Sequence, residues 1–446
     1  MSNFDHIDDV VQLCQDLIRN KCVNDGSVES GQEIRNVETL QDYLGSQGFD
    51  MQTFESAPGR TSLLCQIQGS DPKAASLMLM CHSDVVPANA SRWKHDPYGG
   101  ELIDGEIWGR GAIDMLNLTA SMAVAFRHIA RGSSRPKGTV SFLVLADEEA
   151  GGQYGAAWLD ENHPEVLKAD YLVSEMGGVP LSTSKGLRLP VSVSDKGLQW
   201  WTIKVKGEPG HGSRPFKSDN AIVKAAEIIR RIHTYRAKST VSDIWDKYVQ
   251  AMDFPLEAKK DLVDPKTIWR AIEEFPIIEE AKIADASTHI TISPNIIHGG
   301  IKTNVIPDEA VIEVDIRTLP GQGSNEVRQI LHEIIGELIS EVELVQTQNY
   351  PASSSPIDTP LWNALAKISN KFYPNSQLLP VLTVGITDTR FFRQHGSVGY
   401  GFGMFSQKYS KDQYSKMFHG DNERIDIESL KMSSKFWELL VQEMSF

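Results

Sequence analysis

Three short apolar runs, each cut off by ionisable residues, constrain this chain more than any other feature. ASLMLMC (75–81) gives way to His82-Ser83-Asp84, GTVSFLVLA (138–146) to Asp147-Glu148-Glu149, and DYLVS (170–174) to Glu175-Met176-Gly177-Gly178. Runs this short and this apolar suit strands buried on both faces, which occur in sheets covered by helices. An alanine-rich helical stretch, Met115 to Ala130, separates the first two runs. Strand, helix, strand in this order predicts an α/β layer architecture with a partly parallel sheet. In open sheets of that kind ligands bind outside the carboxyl ends of the strands, so three acidic tips converge on one region. A fourth acid, Asp114, follows the turn Gly109-Arg110-Gly111 and opens the helix. So many carboxylates in one place cannot all stay ionised without a cation. A histidine among carboxylates suits Zn²⁺ or a related ion.

Each motif alone also fits something commoner. His-x-Asp after a strand serves as a capped loop, Asp-Glu-Glu as a solvated helix start favoured by the helix dipole, and Glu-x-Gly-Gly as a plain turn. Their succession at matching strand ends is what points to a metal site.

The rest of the chain divides around this block. Apolar residues at helical spacing predict helices over Phe4–Ile18 and Glu33–Leu44, the second stopped by Gly45 and Gly48, and Ser62–Ile67 reads as a strand. Near residue 195 the character changes. LQWWTIKV (198–205) alternates like a half-exposed strand, and Asn220–Ile232 reads as a helix. Residues 234–286 are polar and helix-prone. Strands at Thr288–Ser293, Ala310–Ile316 and Val342–Thr347 and a helix at Asn325–Ser340 follow. This predicts a small α+β domain at 196–352, with a helical insertion at about 234–286, set into a catalytic domain made of 1–195 and 353–446. Ser353-Ser354-Ser355-Pro356 marks the return crossing.

Composition bounds the function. The chain has 446 residues, enough for two or three domains, with 44 Lys plus Arg against 59 Asp plus Glu and a net charge of -15. Such a surface repels phosphate backbones, and the basic residues are scattered, which excludes nucleic acid as a partner. Four cysteines (Cys14, Cys22, Cys65, Cys81) with no C-x-x-C pair make no disulfide framework. No apolar stretch approaches the ~20 residues needed to cross a bilayer. The opening residues lack the basic-then-apolar order of a signal peptide. The expectation is a soluble, cytoplasmic protein with no membrane partner.

At this point the residues resemble a known family: the zinc-dependent metallopeptidases that include aminoacylase, acetylornithine deacetylase, succinyl-diaminopimelate desuccinylase and glutamate carboxypeptidase. The matching blocks are His82–Pro87, WKHDP (93–97), GEIWGRGAID (105–114), ADEEAGG (146–152), Glu175–Gly178 and GHGSRP (210–215). Asn304–Pro307, Asp315–Arg317, Thr387–Arg390 and Phe418–Gly420 complete them, in the family order.

The resemblance implies a fold and a site. The fold is a mixed central sheet flanked by helices, of the dizinc exopeptidase type, with an inserted ferredoxin-like lid and dimerisation domain. Asp114 would bridge two divalent ions, His82 and Glu175 holding one and Glu149 and His419 the other. Zinc is the family default, and Co²⁺ or Mn²⁺ fits similar ligands. Glu148 would be the general base and Asp84 the partner that fixes the His82 tautomer. His211, in the middle block, would stabilise the oxyanion, with a local turn hydrogen bond as its commoner reading. Asn304 and Arg317 match positions that bind a substrate carboxylate, although Arg317 also fits an ordinary surface ion pair. His95, His298 and His395 do not carry over as ligands.

The implied activity is hydrolysis of an amide or peptide bond next to a free carboxylate, in a homodimer joined through the lid. Two alternatives stand beside it. One is a non-catalytic small-molecule binding protein on the same fold, which would have no need of Glu148. The other is a dizinc aminopeptidase, whose site would want an acidic pocket for an ammonium group. The sequence departs from the family pattern after Asp114, where Met115-Leu116-Asn117 replaces a variable residue followed by Lys-Gly.

Overall fold

The computed structural model describes residues 7–46 and 48–445, which form two compact units. The first takes in the described chain to Val193, Ser355–Val381 and the residues from Thr387 on. The second is Ser194–Ser354 with Leu382–Ile386.

The first unit is built on a mixed sheet. Its strands lie in the order Asp50–Ala57, Arg60–Ile67, Val140–Leu145, Leu77–His82, Tyr171–Ser174, Val398–Gly401 and Gly186–Asp195. The four middle strands, from Val140–Leu145 to Val398–Gly401, are parallel, and antiparallel partners close both sides. Leu77–His82 and Val140–Leu145 are buried at every residue, as their unbroken apolar runs require. Their register pairs His82 with Leu145, so the ionisable residues that follow each strand emerge side by side at one edge.

Helices cover the sheet. Leu116–Ala130 is buried along nearly its whole length, and its small residues admit close neighbours. The indole N–H of Trp437, on the helix Ile427–Ser445, donates to Ser121 Oγ at 3.0 Å. The helix expected at Phe4–Ile18 is Ile7–Arg19, and residues 4–6 lie outside the described residues.

The second unit has the alternation strand-helix-strand-strand-helix-strand. Strands Gly197–Lys206, Thr291–Gly299, Glu309–Thr318 and Val342–Tyr350 form one antiparallel sheet, with Glu309–Thr318 and Gly197–Lys206 central. Helices Ala221–Thr234 and Ser324–Ile335 pack Ile228, Ile232, Leu331 and Ile335 onto Ile203, Ile312 and Val314. This is the ferredoxin-like arrangement. The insertion is helical, as four helices between Asp243 and Thr288.

Two local expectations are corrected. The strand expected at Thr288–Ser293 starts at Thr291 and runs to Gly299, because the preceding helix continues to Thr288. The unit also includes Leu382–Ile386, a segment expected within the catalytic domain. There the carbonyl of Thr383 accepts the Lys196 N–H at 3.0 Å.

Candidate metal centre

His82, Asp84, Asp114, Glu148, Glu149, Glu175 and His419 all belong to the first unit, and the structure brings them together. Sheet topology explains most of it, since His82 ends its strand, Glu148 and Glu149 follow Val140–Leu145, and Glu175 follows Tyr171–Ser174. His419 arrives by a different route. The short strand Glu106–Trp108 pairs antiparallel with Arg424–Asp426, so the loops leading to Asp114 and away from His419 run beside each other.

Asp114 is the centre of the cluster. Its Oδ1 lies 3.1 Å from Nε2 of His82, and its Oδ2 lies 2.9 Å from Nε2 of His419. Glu175 Oε2 stands 3.7 Å from the His82 ring nitrogen, and Glu149 Oε2 stands 3.1 Å from that of His419. Two ligand groups result, His82-Asp114-Glu175 and Asp114-Glu149-His419, with the donor atoms of each within 4.8 Å of one another. The first is buried, whereas the His419 side chain is 43% exposed and opens the second to solvent.

The electrostatics show how closely the ionisable groups are packed. Burial, followed by the charge of Asp114, pushes the Glu175 carboxyl up to about 8 and that of Glu149 up to about 7. Burial, then Glu175, raises Glu148 well above its usual range. The histidines are raised as well, for a different reason. Burial opposes their charged forms, yet Asp114 and the neighbouring carboxylates raise His82 well above its usual value and hold His419 at about 10. Burial acts on Asp114 as well, but the two histidines outweigh it and its carboxyl is depressed. These shifts follow from burying several carboxylates and two imidazoles against one another. One buried oxygen, Glu149 Oε1, has no hydrogen-bond partner among the described residues. Two imidazole nitrogens and three carboxylates, one of them with an orphan oxygen, are a donor set that fits two divalent ions.

The surrounding groups fix orientation. His82 Nδ1 lies 3.1 Å from the carbonyl oxygen of Asp84 and 3.5 Å from its carboxylate. Both are acceptors, so Nδ1 carries the proton and Nε2 faces the site. The Asp84 carboxylate has a second duty, accepting the backbone N–H groups of Glu148 at 3.2 Å and Glu149 at 3.1 Å. Glu148 is in neither ligand group.

Sequence reasoning missed the buried polar groups behind this turn. Asn24 donates to Asp84 Oδ2 and Asp147 Oδ1, each at 2.8 Å. Arg60 is fully buried, forked onto Glu33 at 2.9 Å through both nitrogens, and reaches Asp147 at 2.6 Å. Asp147 itself has φ +65°, a strained conformation for a non-glycine residue that these contacts hold in place. Asp388, also buried, lies against the same turn: a Cβ at Gly152 would stand 3.1 Å from its Oδ1. No local signal marks Asn24, Glu33 or Arg60, because their partners are far away along the chain.

His211, Asn304 and Arg317 belong to the second unit. The two-residue strand Gly210–His211 pairs with Val305–Ile306, and Gly212 approaches the Asn304 backbone so closely that a Cβ would stand 3.1 Å from it. His211 and Asn304 are therefore neighbours. Nδ1 of His211 accepts the backbone N–H of Ser213 at 3.1 Å, with the Ser213 hydroxyl 2.8 Å away. A backbone N–H can only donate, so the His211 proton is on Nε2. Arg317, on Glu309–Thr318, forks onto Asp315 through Nε at 2.7 Å and Nη2 at 3.0 Å, with both side chains about a quarter exposed. Part of its fork is thus engaged within the protein.

A profile of the family described as Peptidase family M20/M25/M40 matches residues 78–443. The chain is 27% identical over 394 residues to the N-fatty-acyl-amino acid synthase/hydrolase PM20D1 of Xenopus tropicalis, covering 86% of this chain and 75% of that protein. It is 26% identical over 386 residues to Aminoacylase-1 of Homo sapiens, covering 83% and 84%. Among solved structures it is similar to the M20 family metallo-carboxypeptidase Sso-CP2 from Sulfolobus solfataricus. The TM-score there is 0.73, at 19% identity and 99% coverage of both chains. Among the described residues no helix is long and apolar enough to cross a membrane.

Proposed function

The chain belongs to peptidase family M20/M25/M40 and is a metal-dependent hydrolase, and from that premise we propose that it cleaves an amide bond adjacent to a free carboxylate. Its substrates on this reading are N-acyl amino acids or short peptides cut from the carboxyl end. The observation that carries the reading is the pair of ligand groups sharing Asp114, with Glu148 beside them and outside both. Relatives named as an aminoacylase and an N-fatty-acyl-amino acid synthase/hydrolase support the substrate class.

His82, Asp114 and Glu175 would hold one divalent ion and Asp114, Glu149 and His419 the other, zinc being the ion that suits these donors best. Such ions supply Lewis-acid polarisation of the carbonyl and a water acidic enough to attack near neutral pH. The chain's own groups do the rest. Glu148, its proton affinity raised by burial and by Glu175, takes the proton of the attacking water and delivers it to the leaving nitrogen. Asp84 holds the turn that carries Glu148 and fixes the tautomer of His82. His211 presents Nε2–H as a donor to the developing oxyanion. Asn304 and Arg317 bind the substrate carboxylate, Arg317 through guanidinium N–H groups beyond the two that Asp315 engages.

The second unit serves as lid and dimerisation surface. Thr291–Gly299 is an edge strand with Ile296 and Ile297 exposed, which supports pairing with a second copy. The test is a panel of N-acyl amino acids and dipeptides, each also prepared with its carboxylate blocked as the amide and with its amino end free or blocked. Turnover that requires the free carboxylate and tolerates a blocked amino end supports the proposal. The opposite pattern identifies an aminopeptidase.

A further inference from the structure

Arg110 and Glu423 form an ion pair in the interior of the first unit, 3% and 0% exposed, and neither side chain is a candidate ligand. Glu423 Oε2 accepts Arg110 Nη1 at 2.6 Å. Its other oxygen accepts the backbone N–H of Ile113 at 2.6 Å and of Asp114 at 3.2 Å. Arg110 Nη2 donates to the carbonyl oxygen of His419 at 3.3 Å. The Gly109 N–H donates to the Glu423 carbonyl at 3.0 Å, which continues the pairing of Glu106–Trp108 with Arg424–Asp426.

A buried ion pair is no bargain for stability, since desolvating both charges offsets their attraction. This one is placed where it does something else. Asp114 and His419 stand on irregular loops, and the pair grips the backbone of both: Glu423 at the amide of Asp114, Arg110 at the carbonyl of His419. His82 and Glu175 need no such grip, because each sits at the end of a parallel strand of the sheet. Thr119 Oγ1 also donates to the His82 carbonyl at 2.9 Å.

We propose that Arg110 and Glu423 are a positioning pair that fixes His419 against Asp114 and so sets the affinity of the Asp114-Glu149-His419 metal position. The proposal rests on the two-ion reading above. It predicts asymmetry, because relaxing the pair moves His419 relative to Asp114 while the strand-borne ligands keep their places. Groups that orient metal ligands are typically worth about 10- to 100-fold in affinity.

The experiment titrates Co²⁺ into the metal-free full chain and follows visible absorption, for the wild type, Glu423→Gln and Arg110→Lys. Circular dichroism of each metal-free protein checks the fold. The wild type is expected to bind two ions. In both variants one ion should bind within about threefold of wild type, and the other about 10- to 100-fold less well. With saturating metal, kcat should recover most of its loss while KM stays near wild type, which a general loss of folding would not produce. Unchanged affinities, or equal weakening of both ions, overturns the proposal. Should Glu423→Gln fail to fold, Arg110→Lys decides alone, since it keeps the charge opposite Glu423 and removes only the reach to His419. A wild type that binds fewer than two ions overturns the metal reading itself, and this proposal with it.

Discussion

Nδ1 of His82 lies closer to the backbone carbonyl of Asp84, at 3.1 Å, than to its carboxylate, at 3.5 Å. The carboxylate is occupied with the amides of Glu148 and Glu149 and with Asn24. Asp84 therefore joins two parts of the site, orienting a ligand through its backbone and the base-bearing turn through its side chain. Asp84→Ala should keep the His82 tautomer but release the turn, with kcat falling about 10- to 100-fold and the ion held by Glu149 weakened by a similar factor. Steady-state kinetics beside metal titration checks this. Loss of the His82-held ion alone would contradict it.

The hydrogen bond from the Ser213 amide to His211 Nδ1 leaves the imidazole proton on Nε2, which is the form an oxyanion needs. His211→Ala should lower kcat by about 10²-fold or more while leaving both ions bound. Ser213→Ala keeps the amide and loses only the hydroxyl, so its loss should be much smaller. Metal analysis alongside kcat separates these effects from damage to the metal centre.

Arg317 presents a guanidinium already steadied by Asp315. Replacing it with lysine keeps the charge and removes the planar fork. Arg317→Lys should raise KM for carboxylate-bearing substrates about tenfold, near the worth of one charge-assisted hydrogen bond, with kcat little changed. Hydrolysis of the carboxylate-blocked analogue should be unaffected by the substitution.

Lys196 supplies a pH prediction in the second unit. Its ammonium is 1% exposed, donates to the carbonyls of Ala286 and His289 at 2.8 Å, and has burial as the main cause that pulls it down to about 7. An unfolded lysine titrates near 10.4, so between pH 7 and about 10 the unfolded chain binds the extra proton. The penalty of burying this amine is complete below pH 7 and is relieved as pH rises toward 10. Lys196→Met should remove that term. The change in unfolding free energy between pH 6.5 and 9.5, measured by denaturant titration, should be more favourable for the wild type than for the variant by a few kcal/mol. Parallel profiles would contradict the assignment.

The strands that carry the ligands were legible because burial on both faces leaves no choice but an unbroken apolar run, as in LMLMCH and VSFLVL. Asp50–Ala57 was not, since an exposed edge strand needs no apolar pattern. Val398–Gly401 was hidden for another reason. Gly401 is there because the Glu175 carbonyl passes where a Cβ would stand, at 1.9 Å, and glycine reads as a loop. The ligands were legible as ionisable residues at strand ends. Their supports were not: Arg60 and Glu33 are 27 positions apart, Arg110 and Glu423 are 313 apart, and only the folded chain makes them neighbours.

The central claim is that two ions and Glu148 together hydrolyse an amide beside a carboxylate. The most direct measurement loads wild type and Glu148→Gln with Zn²⁺, counts bound ions by elemental analysis, and follows turnover of an N-acyl amino acid by the same two samples. The account predicts two ions per chain in both proteins, with turnover lowered about 10²- to 10⁴-fold in the variant. Two bound ions with undiminished turnover in Glu148→Gln would contradict it.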